Sequence, residues 1–302
     1  MLMNLTIGVC AYNEERNVKE LLGDILNQKG LPQNVRVIVV ASGCTDNTVG
    51  IVRETASGDP RVELIEEKTR TGKTNAINLI LANCSAGVLA LVGADIRLPM
   101  DSVGELIRAI SDERVAVVGG LPVVENSEDG MVAGSATTVW RVMRDAMSEL
   151  GSRGELSFVM GELYAFKTVL VERIPPEVVN DDAYIATLAR NRGFKVVHAA
   201  KANFLLKVPS SIPDYVAQRR RVTFGHLLIK AQMGRFANIE GMALDHTTIL
   251  ARAIIREAAS HPMSMIRAMF LLELEVAVRL LAWLDMRTGR QHTLWNRIAT
   301  TK

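Results

Sequence analysis

The feature that most constrains this chain is a repeated switch in its chemistry. Ile7-Gly-Val-Cys-Ala-Tyr-Asn-Glu-Glu15 and Val37-Ile-Val-Val-Ala-Ser-Gly-Cys-Thr-Asp-Asn-Thr48 are apolar, largely β-branched runs that stop abruptly in small and polar residues. Helical spacing follows each. A strand that ends at a loop ahead of a helix, twice within about 50 residues, is the opening of an α/β sheet. In open parallel sheets ligands bind beyond the carboxyl ends of the strands. Tyr12, Asn13, Glu14, Ser42, Thr45 and Asp46 are therefore expected in one crevice, at an edge that also receives Asp95, Asp181 and Asp182.

The alternation continues. The first strand covers Leu5–Ala11, followed by a helix from Glu14 to Gln28 with Val18, Leu21, Leu22 and Ile25 on one face. Strand Val35–Val40, helix Asp46–Ser57 and strand Val62–Ile65 come next, with Asp46 and Thr48 as capping candidates. Thr71–Cys84 reads as helix, and the wholly apolar Val88–Val92 as a central strand. Helix Ser102–Ile110 and strand Val115–Gly119 complete a βα alternation that predicts an α/β fold with a mostly parallel central sheet flanked by helices. Beyond it lie a helix over Ser135–Leu150 and a strand over Ser157–Phe166 interrupted at Gly161. Asn180-Asp-Asp182 opens a helix Ala183–Arg192, and strand Lys195–His198 follows. A basic helix spans Ile212–Gln232, and residues 242–286 give two amphipathic helices broken at His261-Pro262.

Composition narrows the class. The 302 residues suffice for one large α/β domain or two smaller ones, and 48% hydrophobic against 23% charged residues excludes global disorder. A net charge of +2 gives no argument for nucleic acid. The charge is unevenly spread, with 13 Lys/Arg against 6 Asp/Glu from Val216 onward and 22 against 27 before it. A basic tail on a mildly acidic body suits a phosphate or lipid head group. Cys10, Cys44 and Cys84 are odd in number and widely spaced, which reads as reduced cytoplasmic thiols without a metal. The start of the sequence shows no charged leader or cleavage site, so no signal peptide is expected, and no uncharged run approaches the ~20 residues that span a bilayer.

The order of motifs resembles the family 2 glycosyltransferases, whose nucleotide-binding α/β fold is called GT-A. The motifs are Cys10-Ala-Tyr-Asn-Glu-Glu15, Ser42-Gly-Cys-Thr-Asp-Asn-Thr48, Gly72-Lys-Thr-Asn-Ala-Ile-Asn78, Gly93-Ala-Asp95, Asn180-Asp-Asp182 and Gln218-Arg-Arg-Arg-Val222, together covering about residues 5–225. The last resembles the Q-x-x-R-W signature of the branch that includes cellulose, chitin and hyaluronan synthases and N-acetylglucosamine transferases. The resemblance implies a GT-A domain over residues 1–225 with a C-terminal helical extension over 226–302. It implies a nucleotide-diphosphate-sugar donor, a glycan or lipid-linked acceptor, inversion at the transferred sugar, and help from Mg²⁺ or Mn²⁺.

The chemistry explains these residue types. A departing diphosphate needs a cation, and Mg²⁺ or Mn²⁺ takes hard oxygen ligands, commonly one or two carboxylates plus substrate phosphates. Asp95 corresponds to the second aspartate of the family's D-x-D and is the implied metal ligand; the alternative is a capped turn. Gly93 stands at the first position, so one carboxylate is missing. Ala11, Tyr12, Glu14, Ser42, Gly93 and Ala94 are implied donor contacts, although Ala41-Ser42 replaces an acidic pair that relatives use against the base. An inverting transfer needs a general base on the acceptor hydroxyl. Asp182 corresponds to it, with Asp181 where many relatives have Glu; helix capping is the rival role for this pair.

Gln218 and Arg221, three apart on a helix, share a face and by resemblance approach the diphosphate. Arg219 and Arg220 then fall on other faces, as a solvated or lipid-facing surface. Val222 replaces the family's Trp. Gly72-Lys-Thr74 imitates the end of a P-loop, but Glu67 stands where that loop needs its first Gly. By resemblance Lys73 and Asn75 lie near the nucleotide, the alternative for Lys73 being a solvated surface lysine. Glu162 is an implied acceptor-pocket residue. His198, alone at a strand end, stays outside the site.

The tail has two readings. Met263–Asp285 is rich in Met, Leu, Ala and Val but is interrupted by Arg267, Glu273, Glu275 and Arg279, which argues against a bilayer span. It reads as an interfacial amphipathic helix on a membrane surface, or as a helical lid or dimer face. The first placement expected is therefore cytoplasmic, with peripheral contact at the inner membrane face. Two rival functions stand beside the transferase. A nucleotidyltransferase of related fold would carry a Gly-rich basic loop where Ala11-Tyr-Asn-Glu14 stands. A non-catalytic descendant would explain Gly93, Ala41 and Val222.

Overall fold

The computed structural model describes residues 4–153, 158–234, 246–294 and 299–301. Seven strands form one sheet: β1 (Leu5–Ala11), β2 (Val35–Ser42), β3 (Val62–Glu67), β4 (Val88–Gly93), β5 (Val115–Val124), β6 (Leu163–Lys167) and β7 (Lys195–Leu206), in the order β3-β2-β1-β4-β6-β5-β7. Helices are α1 (Val18–Leu26), α2 (Thr48–Gly58), α3 (Lys73–Asn83), α4 (Ser102–Ile110), α5 (Gly130–Arg153), α6 (Asp181–Asn191), α7 (Ile212–Met233), α8 (Thr247–Ser260) and α9 (Ser264–Thr288).

Neighbouring strands are parallel except that β6 runs antiparallel to both β4 and β5. The sheet is mostly parallel, as expected, and the one reversed strand matters for the site. The ends of β1, β2 and β4 lie side by side, because Ala11 pairs with Ala41 and Cys10 with Gly93. Strand β6 enters the sheet at this edge while the others leave it. Leu163 sits opposite Val92, and the Gly93 N–H donates to the Glu162 carbonyl at 2.7 Å. The reversed strand therefore delivers Gly161 and Glu162 to the edge where Asp95 emerges.

The elements follow from side-chain chemistry. Val88–Val92 is buried along its whole length, as a central strand covered on both faces must be. Helix α1 buries Val18, Leu21, Leu22 and Ile25 at 3.6-residue spacing. Several boundaries move from those expected. Helix α1 begins at Val18 and α2 at Thr48, since the residues before them bind neighbouring loops: the Glu14 N–H donates to Thr48 Oγ1 at 2.7 Å, and the Thr48 N–H to Asp46 Oδ1 at 3.0 Å. Strands β5 and β7 are longer than their apolar runs, because they pair with each other as far as Val124 and Leu206 across two register shifts. Of the expected strand Ser157–Phe166, Ser157 lies outside the described residues and Phe158–Gly161 are not strand. Helix α5 begins at Gly130, ahead of the expected Ser135.

Two tail helices are present with a break at His261-Pro262, as expected. Helix α9 packs on α7 and α5 with Leu271, Val278 and Ala282 buried. Among the described residues no helix is long and apolar enough to cross a membrane.

Candidate active site

A cavity of about 890 Å³ opens at the carboxyl edge of the sheet. Its polar end is built from strand termini and helix starts; its other end lies between α5, α7 and α9. Every singled-out donor, metal and base residue lines it: Ala11, Tyr12 and Glu14 after β1, Ser42 at the end of β2, Lys73 at the start of α3, Gly93, Ala94 and Asp95 after β4, Glu162 before β6, Asp181 and Asp182 at the start of α6, and Gln218 and Arg221 on α7. Asp95 and Asp182, 87 positions apart, thus share one hollow.

The two adjacent aspartates have different surroundings. Asp181 is 1% exposed. Its Oδ1 lies 3.0 Å from Lys73 Nζ, and its Oδ2 accepts a 2.6 Å hydrogen bond from the Tyr164 hydroxyl. Both oxygens are therefore committed to the protein. Asp182 is half-buried and lines the cavity. Burial, reinforced by the Asp181 charge and opposed by Lys73, pushes its carboxyl up to about 7. Burial also raises Glu162, and it lowers Arg221 to about 10 against the pull of Glu162, Asp181, Asp95 and Asp182. Arg221 is still cationic at neutral pH and sits in the field of four carboxylates.

Lys73 is neither a solvated lysine nor free to swing. Its ammonium bridges Asp181 and the Gly161 carbonyl (3.4 Å), pinning the start of α3 to α6 and to the β6 entry. Helix α7 approaches this point closely because Gly225 has no side chain: a Cβ there would fall 2.4 Å from Asn180 Oδ1, while Asn180 Nδ2 donates to the Val222 carbonyl at 2.9 Å. Gln218 and Arg221, on the same helix, line the cavity with Asp182, whose charge acts on Arg221.

Other expectations are corrected. Asn13, Thr45 and Asp46 do not line the cavity; they knit its loops, with the Thr45 N–H donating to Asn13 Oδ1 at 2.8 Å and the Glu15 N–H to Asp46 Oδ2 at 3.2 Å. Asn75 turns away to Glu67 and Thr71. Arg219 and Arg220 are not a solvated or lipid-facing surface. Arg219 pairs with Glu275 at 2.6 Å, and Arg220 with the buried Asp285 at 2.5 Å, so both clamp α7 to α9. His198 is buried in β7 outside the cavity, where burial pushes its ring down to about 4.

Several lining residues carried no signal in the sequence. The Arg70 guanidinium lies 3.7 Å from the centre of the Tyr12 ring, a cation–π pair that joins loops 58 positions apart. Cys10 lines the cavity with its thiol pushed up to about 12 by burial, which leaves it protonated and unreactive. Trp140, Met143, Leu272 and Trp283 supply an apolar wall from distant helices.

Comparison with known proteins places this geometry. A sequence model of the family described as "Glycosyl transferase family 2" matches residues 6–173, more than half of the chain. The chain belongs to glycosyl transferase family 2. It is 26% identical over 141 residues to an uncharacterized glycosyltransferase of Haemophilus influenzae, covering 45% of this chain and 43% of that protein. It is 26% identical over 255 residues to an N-acetylglucosaminyltransferase of Mesorhizobium japonicum, covering 78% and 59%. The aligned stretches thus fall short of two thirds of either relative. Among solved structures, the mannosyltransferase PcManGT of Pyrobaculum calidifontis, in complex with GDP-Man and Mn²⁺, superposes with a TM-score of 0.68 at 22% identity over 96% of this chain and 89% of that one. S. aureus TarS 1–349 in complex with UDP gives 0.54 at 16% identity over 99% and 95%. These neighbours share the fold, which is GT-A.

The fold family implies a divalent metal, and the residues fit one. Among the described residues no three His, Cys, Asp or Glu side chains are grouped to hold an ion. A site of one carboxylate completed by substrate phosphates needs no such group. Asp95, Glu162, Asp181 and Asp182 face Lys73 and Arg221, four carboxylates against two cations; burial raises the Asp182 and Glu162 carboxyls, and the neighbouring carboxylates add to the rise. Asp95 would hold the metal, which would neutralise charge on a departing diphosphate.

Proposed function

We propose that this family 2 member transfers a sugar, with inversion, from a nucleotide-diphosphate donor to an acceptor hydroxyl on a glycan or lipid. The observation that carries the reading is the split between the two aspartates. Asp181 is paired with Lys73 and accepts a hydrogen bond from Tyr164, while Asp182 lines the cavity with a carboxyl poised at about 7. A general base works best with its pKa near the working pH. In this reading Asp182 takes the acceptor hydroxyl proton as the acceptor oxygen bonds to the anomeric carbon. The bond from that carbon to the diphosphate oxygen breaks, and the nucleoside diphosphate departs. Gln218 and Arg221 steady the departing phosphates, Asp95 would hold the metal, and Tyr12, Glu14 and Ser42 flank the nucleotide.

The bound GDP-Man, Mn²⁺ and UDP of the structural neighbours support a donor and metal of this class. The Gln218 motif resembles the Q-x-x-R-W signature with Val222 in place of its Trp, and the division drawn at residues 225 and 226 falls within α7. A cytoplasmic chain with peripheral contact to the inner membrane face fits the same reading. Asp182→Asn is expected to keep donor binding, measured by titration calorimetry, and to lose transfer. Full residual transfer would reject Asp182 as the base.

A further inference from the structure

Helix α9 carries an outward face that its packing does not explain. Met265, Met269, Leu272, Val276, Leu280 and Trp283 are each between 49% and 66% exposed. Their spacing of three and four residues aligns them on one stripe, about 27 Å long at the α-helical rise. Glu273 and Arg279 border the stripe, and the Arg287 guanidinium lies 4.8 Å from the centre of the Trp283 ring. Solvent-facing helix surfaces are ordinarily polar, and a contiguous apolar strip marks a binding surface.

What binds there follows from continuity. Leu272, Val276, Leu280 and Trp283 belong both to the exposed stripe and to the lining of the cavity. The cavity is divided: its inner end carries Asp95, Asp182, Lys73 and Arg221, and the wall toward α5 and α9 carries Val139, Trp140 and Met143. A donor diphosphate has no use for the apolar end. Beyond the cavity the stripe continues as Met265 and Met269, which offer a free glycan no hydroxyl-bonding side chain. A second copy of the chain seated on the stripe would cover the mouth through which an acceptor enters. An amphiphile with a hydroxyl head and an aliphatic chain matches the whole path.

We propose that the acceptor is a membrane lipid whose aliphatic chain lies along the α9 stripe while its head reaches Asp182. The proposal rests on the transferase reading above and narrows its acceptor to a lipid.

The probes are n-alkyl glucosides from hexyl to dodecyl, kept below their micelle concentrations and titrated by tryptophan fluorescence. Burial of one CH₂ is worth about a fourfold gain in affinity, and a rise of that order per methylene is expected. Leu272→Glu combined with Leu280→Glu should abolish the chain-length dependence. Met265→Glu combined with Met269→Glu, on the stripe beyond the cavity, should weaken dodecyl but not hexyl glucoside, which guards against general misfolding. Phosphatidylcholine vesicles should sediment the wild-type chain and not the Leu272, Leu280 double variant. Affinity that is flat with chain length would overturn the proposal. So would a dimer that these substitutions dissociate. These readouts need no turnover. Flat titrations beside Asp182-dependent donor hydrolysis would sink the lipid acceptor alone, whereas steep titrations without any donor binding would sink the transferase reading.

Discussion

Removing the charge of Asp182 should stabilise the fold as it destroys the chemistry. The carboxyl rises from an ordinary 3.8 to about 7 on folding, first through burial and then through Asp181. A raised folded pKa means that the folded chain holds this proton more tightly than the unfolded chain does. The contribution to stability is therefore present at low pH and drains away as pH rises from about 4 to about 7. The full shift corresponds to about 4 kcal/mol. Asp182 keeps part of its surface open to the cavity, so water screens some of this, and about 2 kcal/mol is the expected scale. Asp182→Asn cannot ionise. Urea unfolding of both proteins should show little difference near pH 4 and a gain of about 2 kcal/mol for the variant at pH 8. An equal gain at both pH values, or a loss at pH 8, would refute the view that Asp182 is held as a strained, half-neutral carboxyl.

Other outcomes follow from the same network. The rate of transfer should climb with pH through about 7 as Asp182 loses its proton, and a profile flat from pH 5 to 9 would contradict the base assignment. Lys73→Met removes the ammonium paired with the buried Asp181 carboxylate, which keeps the Tyr164 hydroxyl; the expected cost is about 3 kcal/mol in urea unfolding, with the pH–rate rise displaced upward because Lys73 no longer holds Asp182 down. Arg220→Ala strands the buried Asp285, which keeps His292 at 2.8 Å but loses its guanidinium, and should lower the urea midpoint by an amount equivalent to about 3 kcal/mol. Arg70→Ala frees the Tyr12 ring and should weaken donor binding by a few-fold in calorimetry, with little change in stability.

Which parts of this molecule can be read from its residues follows from the range of the interactions involved. The strands β1, β2 and β4 and the loops after them are local: β-branched runs stop at small polar residues, and strand ends in a sheet must meet at an edge. Asp95 was legible for that reason, whereas Asp182, at the start of α6, and Gln218 and Arg221, on α7, came from the motif order alone. The reversal of β6 was not, because strand direction depends on which neighbours it pairs with and leaves no mark in a five-residue apolar run. Arg219 and Arg220 show the same limit. Helical spacing turned Arg220 out of the cavity but not Arg219, which lines it, and the carboxylates that pair with them, Glu275 and Asp285, lie on α9, 56 and 65 positions away. Lys73 looks like any surface lysine until α6 brings Asp181 to within 3.0 Å. Of the two tail readings, the packing of α9 on the body matches a helical cover, and its outward face carries exposed apolar residues.

The account turns on acidic side chains from distant parts of the chain meeting over one cation-bridged diphosphate. The most direct measurement is a thermal-shift panel of nucleotide-diphosphate sugars with and without Mn²⁺, run on the wild type and on Asp95→Ala. At least one donor is expected to raise the melting temperature only when Mn²⁺ is present, and that rise should vanish in the variant. A panel with no response, or a metal-dependent rise that survives in Asp95→Ala, would contradict it.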